Sequence, residues 1–366
     1  VLKKPAKQAN SPNVNIWKTG YYTCRQCLQV FFCVYLWYSV NIFCLLRGNS
    51  MGNNNTYEKD YVTRINLKTA TDQRKELIDF CLNDKNQCLA IGWSCVDFES
   101  DDFSAFYNTV VEYVHGQKRR LNPALNIFKE ACVNDLFWTR DLNGEYWICR
   151  VKKTAKAYLN RELDIGAILP VEAYKFGLEV PGQIKASFNR ARGGIVQRLQ
   201  YPAITEYSKF VFNKLSGEDY YNINLSIAND VIENLPDFEL EELVISYLQI
   251  VKGYYLLSNS IANKSTTVKI ECQLISRDVN NVKKAVVQVK GPKANELNAS
   301  EFKAFEDEDY YIYLYAPGVK KLEEMRNVIQ ITTEELQEFY REYKAILPES
   351  ITQFENLFNI GFSEKN

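Results

Sequence analysis

Two polar groups interrupt apolar runs in the C-terminal third of the chain, where packing alone would not put them. Glu271 lies inside VKIECQLI, and Gln288 and Lys290 bracket Val289 at the end of AVVQVKG. Residues two apart on a strand share a face, so Gln288 and Lys290 point the same way. If the two runs pair as a hairpin, Glu271 joins them there. A carboxylate, an amide oxygen and the Val289 carbonyl are hard oxygen ligands of the kind that hold Mg2+, with Mn2+ as the alternative. Lys290 beside them would offset negative charge developing on a phosphate. A second carboxylate from the preceding helix, Glu241 or Glu242, would add the charge that neutral Gln288 lacks. The chemistry these residues predict is metal-dependent phosphodiester hydrolysis. A cross-strand ion pair between Glu271 and Lys290 is the plainer alternative, but both flanking runs are too apolar for exposed sheet edges.

Composition narrows the field. The chain has 366 residues, 46% of them hydrophobic and 24% charged, enough for two or three folded domains. Forty-four basic against forty-five acidic residues give a net charge of −1, so a uniformly basic nucleic-acid coat is excluded and only local patches remain. A single histidine, His115, argues against His-Cys zinc sites, Ser-His-Asp triads and two-histidine iron sites. No small-molecule cofactor is expected. Carboxylates, amides, lysines and cysteines must do whatever chemistry occurs.

The elements that would position these groups can be read from periodicity. In the N-terminal part, strands are expected at Tyr61–Lys68, Cys88–Trp93, Asp135–Arg140, Glu145–Val151, Leu163–Glu172 and Gly194–Leu199. Helices are expected at Gln73–Leu82, Ser104–Val114, Pro123–Ala131 and from Pro181 to Phe188. Asp141-Leu-Asn-Gly144 between two aromatic-rich runs is a hairpin signal. A helix at Glu206–Leu215 and a polar stretch to Asp237 mark a connection. Beyond it the pattern reads as a helix over Leu240–Leu257, strands at Thr267–Ile275 and Lys284–Lys290, a helix at Ala299–Phe305, strands at Tyr310–Tyr315 and Val328–Ile331, and a closing helix Thr333–Lys344 capped by Thr332 or Thr333. The fold class is α/β (α+β): a curled sheet with packed helices, followed by a mixed sheet with flanking helices. No internal repeat is visible.

From about Glu239 to Phe358 the chain resembles the PD-(D/E)xK nuclease superfamily, in the Mrr-like branch that reads Gln-x-Lys. The residues that carry the likeness are Leu240-Glu241-Glu242-Leu243-Val244 with Tyr247-Leu248-Gln249 on the helix, Glu271-Cys272 on the first strand, Gln288-Val289-Lys290 on the second, and the Tyr-Leu-Tyr strand afterwards. The resemblance implies Glu241, Glu271, Gln288 and Lys290 as catalytic residues, with the metal held by Glu271, Gln288 and Val289. Glu271 departs from the commoner Asp and carries a longer arm.

Residues Tyr61–Leu199 look like a PUA-superfamily domain of the EVE/YTH kind, on Ile91-Gly92-Trp93, Asn134-Asp135-Leu136-Phe137-Trp138 and Tyr146-Trp147. The resemblance implies a grip on one extruded base. Trp93, Trp138 and Trp147 would stack on it and Asp164 would hydrogen-bond its edge. Core packing is the competing role for each tryptophan. Between Arg140 and Leu199, eleven Lys/Arg face six Asp/Glu. In this basic arc, Arg150, Lys152, Lys153, Arg190 and Arg192 are the expected contacts to a DNA backbone.

The expected organisation is residues 57–205 as reader, 206–237 as connection and 238–360 as nuclease. Residues 1–50 stand apart. Their run Val30–Leu46 is at the lower limit of a membrane span, and reads either as an anchor or, preferably, as translated upstream sequence before Met51. The expected protein is a cytoplasmic restriction or phage-defence endonuclease acting on DNA, with or without a base modification. Cutting both strands would call for a homodimer. The alternatives are a catalytically inactive nucleic-acid-binding protein with a degenerate nuclease fold, or a membrane-anchored protein.

Overall fold

A computed structural model describes residues 59–83, 85–117, 121–190, 194–223, 231–259, 270–291 and 294–355. The described residues belong to one compact unit. The run Val30–Leu46, the predicted strand start at Thr267 and Arg192 lie outside the described residues. Among the described residues, no helix is long and apolar enough to cross a membrane.

The first sheet holds seven strands: β1 Val62–Ile65, β2 Cys88–Ile91, β3 Leu136–Arg140, β4 Tyr146–Val151, β5 Lys156–Asn160, β6 Ile165–Gly177 and β7 Val196–Leu199. Their order is β2-β6-β4-β3-β1-β7, with β5 also on β6. All pairs are antiparallel except β1 with β3. The β3–β4 hairpin closes as its sequence requires. The Asp141 carboxylate accepts the N–H groups of Asn143 and Glu145, both at 2.9 Å, and Gly144 takes a left-handed φ of 84°. β6 runs longer than its apolar stretch predicts because it serves β2 and β5 at one end and β4 at the other. Its Gly166 is obligatory: a Cβ there would sit 2.5 Å from the Gly92 carbonyl oxygen and 2.8 Å from the Phe106 ring.

Strand alternation divides this sheet into two apolar faces. Phe137, Trp147, Cys149 and Val151 face a core shared with α1 Arg74–Ile78, α2 Phe103–Gly116 and α3 Pro123–Glu130. Asp102 caps α2 through the N–H groups of Ser104 and Ala105, and Asn122 caps α3. Val62, Leu136, Trp138, Tyr146 and Ile148 face the other way, beneath α4 Gly182–Asn189 and α5 Pro202–Ser216.

The short α6 Val231–Asn234 leads to α7 Asp237–Ile250. The helix predicted to reach Leu257 ends early. Gly253 turns the chain at φ 71°, and Tyr254–Asn259 becomes β8, a strand that periodicity did not show. β9 Cys272–Ser276, β10 Lys284–Val289, β12 Tyr311–Tyr315 and β14 Val328–Gln330 complete a five-stranded mixed sheet of order β14-β12-β10-β9-β8. β8, β9 and β10 are antiparallel neighbours, whereas β10, β12 and β14 run parallel. A small parallel pair joins β11 Leu297–Asn298 to β13 Val319–Lys320. Flanking helices are α8 Lys303–Asp307 and α9 Thr333–Tyr343, the latter with a full capping box between Thr332 and Glu335. The architecture is therefore α/β, with a curled sheet and a mixed sheet.

The core beneath α4 and α5 does not stop at the first sheet. It continues through Tyr207 and Phe212 on α5 to Leu243 and Leu248 on α7, Val287 on β10 and Phe354 near the C-terminus. The described part of the expected connection, residues 206–237, is packed into this shared core rather than exposed as a free linker.

Candidate functional site

The β9–β10 hairpin and α7 bring the first group of sequence-predicted residues together. Pairing runs from Lys284 opposite Ile275 to Val287 opposite Cys272, and the Glu271 N–H then donates to the Val287 carbonyl at 2.8 Å. That register sets Glu271 beside Gln288, whose Nε2 donates to Glu271 Oε1 at 2.5 Å and to the Val289 carbonyl at 3.0 Å. Gln288 is 2% exposed, and its Oε1 is buried without a partner. The Lys290 N–H donates to the Tyr315 carbonyl at 2.8 Å, extending β10 along β12.

Electrostatics bind α7 into the same group. Burial pushes the Glu241 carboxyl up to about 8, reinforced by the negative charges of Glu271 and Asp237 and opposed by Lys290. Glu271 is also raised, first by burial, while the Gln288 hydrogen bond and Lys290 pull it down. The choice left open between Glu241 and Glu242 falls to Glu241: Glu242 is exposed and accepts from Ser350 Oγ at 3.0 Å.

One member of the group escaped sequence reasoning. Asp237 raises both Glu241 and Glu271, and its Oδ1 lies 2.9 Å from where a Cβ on Gly291 would stand. The signal was available in the spacing Asp237-x-x-x-Glu241, which aligns two carboxylates on one helix face, and in a glycine directly after Lys290. Glu239, on the same helix, is 1% exposed and turned elsewhere. Its Oε1 accepts the Gly182 N–H at 2.5 Å at the start of α4, and burial pushes it up to about 7.

A cavity of about 390 Å³ opens beyond Tyr315, lined by Glu233, Ala316, Pro317, Gln330 and Thr332 among others. It sits past the C-terminal ends of β12 and β14, the place where open α/β sheets hold ligands.

The donors available for a metal are all oxygens, which suits Mg2+ or Mn2+ over softer ions. The Glu241 and Glu271 carboxyls and the Val289 carbonyl suit such an ion, whereas the Gln288 amide turns its nitrogen to Glu271 and Val289 and would have to flip to bring its buried, unpartnered oxygen to them. No group of three or more His, Cys, Asp or Glu side chains close enough to hold a metal is present among the described residues, so a bound ion would depend on the Gln288 amide and a backbone carbonyl.

The base-pocket residues are not brought together as expected. Trp138 is fully buried, donates Nε1–H to Ser208 Oγ at 2.8 Å and meets Phe176 edge-on. It is a core residue in the middle of β3, and the expectation that it stood at a strand end hid which face it occupied. Trp147 belongs to the opposite face and donates to Asp141 Oδ2 at 3.1 Å. The two tryptophans cannot share one pocket. Trp93 and Asp164 are neighbours, both with left-handed φ (73° and 52°). The Asp164 carboxylate accepts from Ser94 Oγ at 2.7 Å and from the Ala70 N–H at 3.1 Å, which makes it a brace between loops.

The expected phosphate contacts also divide. Arg150 is tied down: it bonds Glu172 at 2.5 Å and Asn134 at 2.8 Å, and its guanidinium lies 3.8 Å from the Tyr220 ring centre. With 12% of its side chain exposed it is an internal strut, a correction to its assignment as a backbone contact. Lys152, Lys153 and Arg190 are exposed.

No family model matches this chain, and no curated protein matches it in sequence.

Proposed function

We propose that this chain is a metal-dependent phosphodiesterase of the PD-(D/E)xK type that cleaves DNA. One observation carries the reading: Glu241, Glu271, Gln288 and Lys290 come from three separate elements and lie together, with both carboxyls held above their usual range by burial first and by the Asp237 charge, and Glu241 by that of Glu271 as well. Repelling carboxylates beside a lysine are costly to keep unless a cation relieves them. Glu271, the Val289 carbonyl and, with its amide flipped, the Gln288 oxygen would hold Mg2+ or Mn2+, with Glu241 and Asp237 adding charge. When bound, such an ion polarises a phosphoryl oxygen and makes water a better nucleophile. Lys290 would sit against the non-bridging oxygens and offset the charge that grows on them in the transition state.

The first sheet would supply DNA binding through its exposed basic residues Lys152, Lys153 and Arg190. Restriction or phage defence in the cytoplasm is the setting that fits such an enzyme. Since each chain offers one site, double-strand cleavage would require two chains. A second reading, a non-cleaving DNA-binding protein, is favoured by the Gln288 amide nitrogen, which already bridges Glu271 and the Val289 carbonyl.

The test is incubation of the purified protein with plain and base-modified phage DNA, with Mg2+, with Mn2+ and with a chelator. Metal-dependent cleavage that Lys290→Ala abolishes supports the enzyme. Binding without cleavage under every metal condition supports the second reading.

A further inference from the structure

Two arginines lie against the Phe188 ring on the α4 side of the first sheet, a third, Arg190, follows that ring by two residues, and none of the three has an acidic partner among the described residues. Arg64 on β1 is fully buried. Its NH1 donates to the carbonyls of Gly194 at 2.6 Å and Ile195 at 3.2 Å, and its NH2 to Gln197 Oε1 at 3.2 Å, while its Nε has no partner. Every one of these acceptors is neutral. The Arg64 guanidinium lies 5.5 Å from the Phe188 ring centre, and that of Arg140 on β3 lies 5.4 Å from the same centre. Arg140 is half-buried and uses NH1 on Asn189 Oδ1 at 2.9 Å. Arg190, exposed at the end of α4, is close enough for its charge to lower the Arg64 pKa further, after burial.

Acids on the adjoining segments are already committed. Glu130 pairs with Arg198, Glu145 with Lys175 at 2.7 Å and Glu179 with Lys185 at 2.5 Å, and Asp141 holds its own hairpin and Trp147. A buried guanidinium whose acceptors are all neutral stays uncompensated until an anion comes near it. The planar forks of arginine suit a tetrahedral oxyanion, and stacking on an aromatic ring leaves their edges free for it.

We infer that Arg140 and Arg190, backed by the buried charge of Arg64, form a binding site for a backbone phosphate of DNA. The inference rests on the reading of this chain as a DNA-binding protein and adds a subsite to it. It also has a consequence for register. Asn189, which holds Arg140, ends the helix whose first residue, Gly182, is bonded to Glu239 on α7. A phosphate held here would be anchored about 12 Å along α4 from the helix that carries Glu241.

The experiment measures binding of a labelled DNA duplex to the full chain without divalent metal, as the slope of log K against log salt. Loss of one phosphate contact flattens that slope by about 0.9. Arg140→Gln with Arg190→Gln should flatten it by about two while melting temperature in chloride stays unchanged. Inorganic phosphate at matched ionic strength should raise the melting temperature of the wild-type protein and not of the double variant. An unchanged slope in the double variant overturns the inference. Arginine-dependent stabilisation by phosphate in a protein that binds no duplex overturns DNA as the ligand. Failure to cleave with metal bears on the nuclease reading alone, because the slope is measured without it.

Discussion

Replacing Trp138 separates a base reader from a core residue. Its side chain is fully buried between β3 and α5, makes an edge-on contact with Phe176 at 5.7 Å and donates to Ser208 Oγ at 2.8 Å. Truncation to alanine should cost about 3–5 kcal/mol through lost transfer energy and the cavity left behind. With about 2.1 cal/mol/K of unfolding entropy per residue over the compact unit, that corresponds to a fall in melting temperature of roughly 5–8 °C. Trp138→Phe keeps most of the volume and removes the donor, so it should cost a further-resolved part, about 1 kcal/mol. Adding Ser208→Ala to Trp138→Phe should cost little more, since both ends of the buried bond are then apolar. Calorimetry on the three variants, with duplex affinity measured below their transitions, gives the answer. A Trp138→Ala protein that melts like the wild type yet loses its DNA preference would refute the core assignment.

Three further outcomes follow from the site and the fold. Lys290→Ala should abolish cleavage with duplex affinity and melting temperature nearly unchanged; retained cleavage would remove the nuclease assignment. Glu241 holds its proton up to about 8 against a usual 4.5, so its contribution is present at low pH and is lost as pH rises through 8. Metal-free Glu241→Gln should therefore gain about 2 kcal/mol over wild type at pH 9, after allowance for solvent screening, and little at pH 4; a variant whose urea midpoint differs from wild type by the same amount at both pH values would contradict the burial of Glu241 beside Glu271 and Asp237. Gly166→Ala, with its Cβ driven against the Gly92 carbonyl and the Phe106 ring, should destabilise by about 2–3 kcal/mol, read as a lowered urea midpoint.

The parts of this molecule that were legible in its sequence are those whose cause is local. The Asp141–Gly144 turn, the Asn122-Pro123 and Thr332–Glu335 helix starts, and the shared face of Gln288 and Lys290 each depend on residues within a few positions of one another. Long-range facts were harder. β8 was hidden because Tyr254–Leu257 continues the apolar spacing of α7, and only Gly253 breaks it. Trp138 and Trp147 both stand inside aromatic-rich runs, and nothing in those runs says that one faces α5 and the other α2. Arg150 looks like its neighbours Lys152 and Lys153 in a basic stretch, but strand alternation turns it towards Glu172 and Tyr220. Arg64 offered no signal at all, because an arginine inside a four-residue strand gives no hint that its partners are carbonyls more than a hundred residues away.

The continuous core from Trp138 through α5 to Val287 and Phe354 limits how this protein can be cut or recombined. A module that travels between proteins must carry its own closed interior. Here, separating residues before α5 from those of α7 and beyond would leave Ile148 and Ile184 on one piece and Leu243 and Leu248 on the other facing water. Such fragments should be aggregation-prone and gain order only when mixed. The two sheets would then be inherited, and engineered, as one piece.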